Sequence, residues 1–305
     1  MNKRFSKPKR FGEILDHTFQ LSKNRFTDFM KIFLLLVGPI YLLEAFVQLA
    51  AGRSFFREMG AGSGWMDQIF SSFDETEAVA NSLGVDLFII LLGILSTLLF
   101  MVAQASVLFA LDHIRKDESY TLSSVIKKGF SRFWPILGSS ILFFFILLAI
   151  FIVPIFALVF SGIGIFATGE NVVVTIILLV LIGIGLFIGA ALLLTRWSFY
   201  FASVVLDKES PGFSNSWNLS KKRTWFLVGL YIVFILIIGS ITFAVEASFG
   251  IFLGNSVLLL LISNLVFLFT TMIFTVGYGI MFFDLKTRNN ADDINAMLDD
   301  FSEVK

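Results

Sequence analysis

The chain has 305 residues, 57% of them apolar and only 15% charged, with a mean hydropathy of +0.87. A soluble domain of this length carries roughly 25% charged residues, so the composition excludes an ordinary water-soluble protein and predicts a polytopic membrane protein. A formal net charge of +0 removes the overall basic balance expected of a nucleic-acid binder, and the lack of cysteine removes disulfides, thiol catalysis and Cys-ligated metals.

The segment before Phe29 is polar and amphipathic and carries Glu13 and Asp16. It has no short apolar core followed by a small-residue cleavage site, so it is not expected to act as a secretory leader. On a helical wheel of Phe11–Phe26, Phe11, Ile14, Leu15, Phe19, Leu21, Ser22 and Phe26 share one arc. Glu13, Asp16, His17, Gln20, Lys23 and Asn24 occupy the other, the pattern of a helix lying in the membrane interface plane.

Six apolar stretches follow, at about Phe29–Ala51, Val85–Leu111, Phe133–Phe160, Val172–Thr195, Thr224–Ser248 and Ser256–Phe283. Each reaches the ~20 residues that a helix needs to cross a ~30 Å hydrocarbon core. The runs are continuous and not alternating, and backbone amides in lipid must be bonded internally, so helical spans are predicted. Pro39, Pro135 and Pro154 are candidate kinks. Of the 23 Lys and Arg residues, all but Arg53 and Arg57 fall in the segment up to Lys31, in 112–132, in 196–223, or after the last span. Basic segments stay cytoplasmic, which predicts six passes with both termini inside.

Amphipathic entry segments recur before the odd spans, at about 11–27, 120–132 and 211–223. Leu15, Leu122 and Phe213 correspond, as do Phe19, Ile126 and Trp217. Ser22, Gly129 and Ser220 are small in register, and Arg25, Arg132 and Arg223 close the pattern. Leu219 falls off the apolar arc of the third copy, whose start reads as a Ser210 N-cap before Pro211. Even spans end in Leu111-Asp112, Leu206-Asp207 and Phe283-Asp284. The predicted fold is an all-α membrane protein: three helical hairpins, each preceded by an amphipathic interfacial helix. It forms one membrane domain over 1–288, followed by a tail over 289–305.

The run Lys9-Arg10-Phe11-Gly12-Glu13-Ile14-Leu15-Asp16, with Phe19, Leu21 and Arg25, resembles the opening of a bacterial membrane-domain family. The family is named for its fusion to glycerophosphodiester phosphodiesterases and also occurs alone. Arg196-Trp197, the apolar run after it, Glu209-Ser210 and Ser216 resemble its middle motif, and Phe283-Asp284-Leu285-Lys286-Thr287-Arg288 its closing one. The resemblance implies a bacterial cell membrane, six helices and an accessory role. It does not imply phosphodiesterase activity, which resides in the fused domain.

The residues themselves offer no catalytic constellation. Metal-assisted phosphodiester cleavage needs clustered carboxylates and histidines around an open metal site. Here there are two histidines: His17, on the polar face of the first entry helix, and His113, just past the second span. Neither Glu-x-Asp, GxSxG, a P-loop nor HExxH occurs. No enzyme, cofactor or metal is expected.

Ionisable groups inside spans are functional candidates. Tyr41, Glu44 and Gln48 share a helix face, with Glu44 ~22 Å from the inner boundary at 1.5 Å per residue. Asp86, Glu246 and Asn264 are the polar residues that would join them in an outward-facing cluster for a cation or proton; headgroup or water contact is the plainer alternative. Arg196 is placed at the inner headgroups, ~36 Å from Val172 along the helix, since Trp197 suits an interface and burying arginine is costly. Ser198–Leu206 is then expected to pack on the three entry helices as a cytoplasmic platform. Gly185 and Gly189 form a GxxxG expected to pack closely within the bundle, with a dimer contact as the alternative.

The loop Gly52–Gly84 is acidic and Gly/Ser-rich, and Trp65, Met66, Ile69 and Phe70 form a candidate short surface helix. In the tail, Ile294, Met297, Leu298 and Phe301 lie at i, i+3, i+4 and i+7 among acidic residues, predicting a helix able to dock on Lys127, Lys128, Lys221 and Lys222. The functional expectation is a non-enzymatic accessory or scaffold protein that organises lipids or a membrane partner, a second copy included. Arg25, Lys127, Lys128, Arg132, Arg196, Lys221, Lys222 and Arg223 would contact anionic lipids. A small-solute or lipid transporter using the Glu44 cluster is the alternative.

Overall fold

A computed structural model of the chain describes residues 5, 7–56, 83–167 and 172–303, with backbone alone from 290 onward. Among these residues all regular structure is helical. We number the helices α1 (Phe11–Asn24), α2 (Phe26–Leu36), α3 (Gly38–Ala50), α4 (Leu83–Lys116), α5 (Leu122–Ser131), α6 (Phe133–Ala167), α7 (Val172–Trp197), α8 (Tyr200–Ala202), α9 (Phe213–Ser220), α10 (Thr224–Leu253) and α11 (Val257–Glu303).

Five of these segments are long and apolar enough to cross a membrane, or six if the bent pair α2–α3 is one span. Most of their apolar surface is not covered by protein: none of the most apolar window in 176–207 is buried, and only 11% of that in α4. Side chains such as Phe187, Phe243 and Phe252 are more than 70% exposed. Such a surface belongs in hydrocarbon, so the chain is a multipass membrane protein.

The first span is not straight. Pro39 has no amide hydrogen to continue the ladder, α2 stops at Val37, and α3 leaves at 49° with Ile40 and Tyr41 donating to the Val37 carbonyl. Pro154, by contrast, lies inside an uninterrupted α6, and Pro135 sits in its first turn.

The contacts gather into two compact units, Met1–Ser131 with Ile232–Asp284, and Arg132–Tyr231 with Leu285–Lys305. In the first, α2, α3 and α5 pack on α4. Small residues set the spacing. A Cβ added at Gly129 would lie 2.4 Å from Ser106 Oγ, one at Gly277 2.4 Å from Phe234 Cζ, and one at Gly279 2.6 Å from Leu111 Cδ1. These glycines let α5 approach α4, and α11 approach α10 and α4, more closely than a Cβ allows without a shift of the neighbouring atoms. The start of α11 is capped across the chain: Val257 and Leu258 donate to the Ser54 and Phe55 carbonyls, and Arg53 Nε donates to the Asn255 carbonyl at 2.8 Å.

The N-terminal segment is strapped onto this unit. Phe5 is buried, with its ring centroid 4.7 Å from His17 and 5.9 Å from Phe283. Lys9 N–H donates to Asp284 Oδ1 at 2.7 Å, and Arg115 lies 4.6 Å from the centre of the Phe283 ring. His17 is therefore a buried residue and not a solvated one; the wheel alone does not reveal that Phe5 folds back to cover it. The apolar arc of α1 divides accordingly. Ile14, Thr18, Leu21 and Ser22 face protein, whereas Phe19 and Phe26 remain exposed.

In the second unit α6 and α7 pack side by side. After α7 the chain makes a turn, α8, and a π-helical turn over Ser203–Asp207, ending at Lys208 with φ 62°. α9 begins later than its sequence suggests: Ser210 contacts Ser139 instead of capping it, and the helix starts after Gly212, whose φ is +76°. A Cβ there would also meet the Tyr200 carbonyl at 2.7 Å, so glycine is required on both counts. Leu219, off the predicted apolar arc, is buried all the same. α11 runs unbroken into the predicted tail; the side-chain docking expected of that tail, and the surface helix of the 52–84 loop, lie outside the described residues.

Candidate functional site

The end of α7 is held by two serines of α9. Ser216 Oγ donates to the Arg196 carbonyl at 2.7 Å and accepts from Phe199 N–H at 3.0 Å, supplying a donor and an acceptor to backbone groups freed where α7 stops. Ser220 Oγ lies 3.1 Å from the same carbonyl and 2.8 Å from the Ser216 carbonyl. Both serines are fully buried. Phe199, Ala202, Ser203, Val204 and Val205 are buried as well. Tyr200 stacks on Phe143 at 4.6 Å and contacts Ser140 through its hydroxyl. Asp207 accepts from Asn215 Nδ2 at 2.9 Å and pairs with Lys286. The stretch expected to form a platform does pack on α9; the other two entry helices, α1 and α5, belong to the other unit.

This clamp fixes the Arg196 side chain over an open cleft of about 660 Å³. The guanidinium sits 4.5 Å from the centre of the Trp217 ring, and Nε donates to Thr224 Oγ1 at 3.3 Å. Trp197 packs 5.8 Å from Trp217, and Trp225 at the cleft edge is 68% exposed. Lys221, Lys222 and Arg223 line the same cleft, Arg223 lying 5.1 Å from the Phe226 ring. Among the described residues no carboxylate lines it.

The other predicted lipid contacts stand in different surroundings. Arg25 faces Asp28 at 3.5 Å, and Tyr120 Oη donates to the same carboxylate at 3.2 Å. Burial first, and then the Asp28 charge, push the Tyr120 phenol up to about 12. Lys128 Nζ lies 2.8 Å from His113 Nε2, and His113 Nδ1 lies 2.8 Å from Glu118. An ammonium can only donate, so this chain assigns the imidazole proton to Nδ1. Lys127 is exposed on α5, and Arg132 begins the second unit. Of the eight basic positions, Arg196, Lys221, Lys222 and Arg223 converge on one site.

The outward cluster forms only in part. Asn264 and Arg53 both stand close enough to act on the Glu44 carboxyl, and Tyr41 is close to it as well. Asn264 Nδ2 is shut off from solvent yet makes no hydrogen bond of acceptable geometry. Asp86 and Glu246 are exposed and make no polar contact with Glu44 among the described residues, and Gln48 is half-buried on α3. The GxxxG expectation is corrected: no atom lies within 4 Å of a Cβ built at Gly185 or Gly189, so neither packs closely within its unit. Gly189 instead opens the wall of the Arg196 cleft. Among the described residues no group of three or more His, Asp or Glu is placed to hold a metal.

Ser216 and Ser220 are the functional residues that sequence patterning understates. Their i, i+4 spacing on a short polar helix was the available signal, and only the fold reveals which backbone groups they serve. Comparison of the chain with family models, curated proteins and solved structures finds no match.

Proposed function

We propose that this chain is a non-enzymatic accessory protein of the bacterial cell membrane, with both termini cytoplasmic, that organises anionic lipids and through them a membrane partner. The observation that carries the reading is the Arg196 cleft: Arg196, Lys221 and Arg223 gather there with no carboxylate among the described lining residues, flanked by tryptophans, at the end of the 26-residue apolar helix α7. Interfacial tryptophan beside lysine and arginine is the composition that suits a cytoplasmic headgroup layer. The resemblance to the stand-alone members of the phosphodiesterase-associated membrane domain points the same way.

The same reading takes α1, α5 and α9 as interfacial entry helices of a threefold hairpin repeat. Its support is the matched burial of the small residues Ser22, Gly129 and Ser220. The exposed Phe19 on α1 and Phe26 at the start of α2 supply apolar surface for lipid. A membrane-protein client or a second copy is the proposed partner, and no nucleic acid is involved.

The test is stability in nanodiscs. The protein should melt higher in phosphatidylglycerol than in phosphatidylcholine of the same acyl chains, and added salt should shrink the difference. Equal melting in both lipids would overturn the reading. A second reading, a small-solute or lipid transporter, draws on Glu44 beside the buried Asn264 amide inside the spans. It requires that Glu44→Gln abolish proton or solute flux in proteoliposomes; unchanged flux removes it.

A further inference from the structure

The basic residues of this chain are not equivalent. Arg25, Arg115, Lys116 and Lys286 each stand within 4.0 Å of a carboxylate. Arg196, Lys221 and Arg223 have none within that distance among the described residues, although they share one cleft. Like charges gathered without counter-charges repel one another and are relieved by a bound anion.

Arg196 is the most constrained of them. Its carbonyl is held by Ser216, its Nε by Thr224, and its guanidinium face by Trp217. Neither Nη1 nor Nη2 has a hydrogen-bond partner among the described residues. A guanidinium held by its face and Nε presents its outer edge, two parallel N–H donors matched to two oxygens of a phosphate. Below it on α7, Leu193, Leu192 and Gly189 lie at i−3, i−4 and i−7, so an apolar stripe runs from the charge along the same helix face. Gly189 leaves open space where a side chain would block that stripe. The cleft is open, and its volume of about 660 Å³ falls in the range of small-molecule sites.

We infer that this cleft binds one anionic phospholipid, its phosphate on the Arg196 edge with Lys221 and Arg223 as flanking charges, and an acyl chain along Gly189–Leu193. The inference rests on the lipid-contact reading above and sharpens it from a charged surface to a discrete site.

Native mass spectrometry of the detergent-solubilised full chain tests it, with phosphatidylglycerol, phosphatidylcholine of the same chains, and glycerol phosphate as probes. One phosphatidylglycerol should be retained, with affinity at least about tenfold above either other probe. Arg196→Lys keeps the charge but loses the fork and should weaken retention about tenfold. Lys221→Ala should weaken it less, and Lys127→Ala, on α5 and not among the residues that line the cleft, not at all. Gly189→Phe should displace the lipid by filling the stripe without touching a cation; the open space there keeps this variant folded, and its melting temperature provides the check. Wild-type retention in both Arg196→Lys and Gly189→Phe overturns the discrete site. If phosphatidylglycerol preference then persists and falls equally with Lys221→Ala and Lys127→Ala, diffuse attraction survives and the site does not. Equal binding of glycerol phosphate assigns the cleft to a soluble phosphate and overturns the lipid half. Equal binding of phosphatidylcholine removes both readings.

Discussion

Two serine hydroxyls share one carbonyl at the end of α7, and that sharing predicts a specific departure from additivity. In Ser216→Ala, the Phe199 amide loses its 3.0 Å acceptor, while the Arg196 carbonyl still has Ser220 at 3.1 Å. An internal hydrogen bond contributes about 1 kcal/mol net, and leaving a buried polar group unsatisfied costs about 1–3 kcal/mol, so the expected loss is about 2 kcal/mol. In Ser220→Ala, the carbonyl keeps Ser216 at 2.7 Å, and the expected loss is below about 1 kcal/mol. The double variant strips the carbonyl of both donors and should lose about 1–2 kcal/mol more than the sum of the singles, the coupling that contacting residues show. Reversible unfolding of the full chain in mixed micelles, titrated with SDS, measures all three. Additive losses, or a Ser216→Ala protein as stable as the parent, would refute the claim that these hydroxyls terminate α7 together.

Three further outcomes are expected. The chain has no cysteine, so single Cys replacements at the exposed Lys7, Lys127 and Lys221 can be labelled from either side of a sealed vesicle; all three should react from the cytoplasmic side, and Lys127 or Lys221 reacting from the opposite face to Lys7 would end the six-pass layout. Gly277→Ala should cost about 1–3 kcal/mol by overpacking against Phe234, and Phe234→Leu in the same chain should recover part of that, whereas Gly239→Ala, with nothing within 4 Å, should be silent in the same melting assay. The Tyr120 phenol, followed at 295 nm, should ionise near 12, and Asp28→Asn should lower that value. Because the folded value lies above the ordinary 10.0, Tyr120's contribution to stability is whole below pH 10 and declines between 10 and 12.

The spans were readable from the sequence because hydrocarbon imposes one demand, continuous apolar helix, and each predicted stretch coincides with a helix or a bent pair. The bend beside Pro39 was readable too, while Pro154 shows that proline alone does not force a break. Facing was harder. The wheel of α1 marks an apolar arc but cannot divide it between lipid and protein, so His17, beside the buried Ile14 and Leu21, looked solvated until Phe5 folded over it. Arg196 stands with Lys221–Arg223 around one cleft; the tryptophan beside it was the sequence signal that grouped it with them as an expected lipid contact. Its pre-orientation was not visible, since Ser216 lies 20 residues away and its two bonds are set by the turn, not by local pattern. The Glu44 cluster formed in part for the same reason: a shared outer depth does not by itself pair Asp86 or Glu246 with Glu44.

The strap that ties Phe5 and Lys9 to Phe283 and Asp284 makes residues about 275 positions apart depend on one another. Phe5 and Lys9 are synthesised well before α11, and until α11 is inserted that aromatic anchor and backbone donor lack the partners it supplies. A chain stalled before α11 would display them loose at the membrane surface, a mark by which a protease could tell it from a folded one.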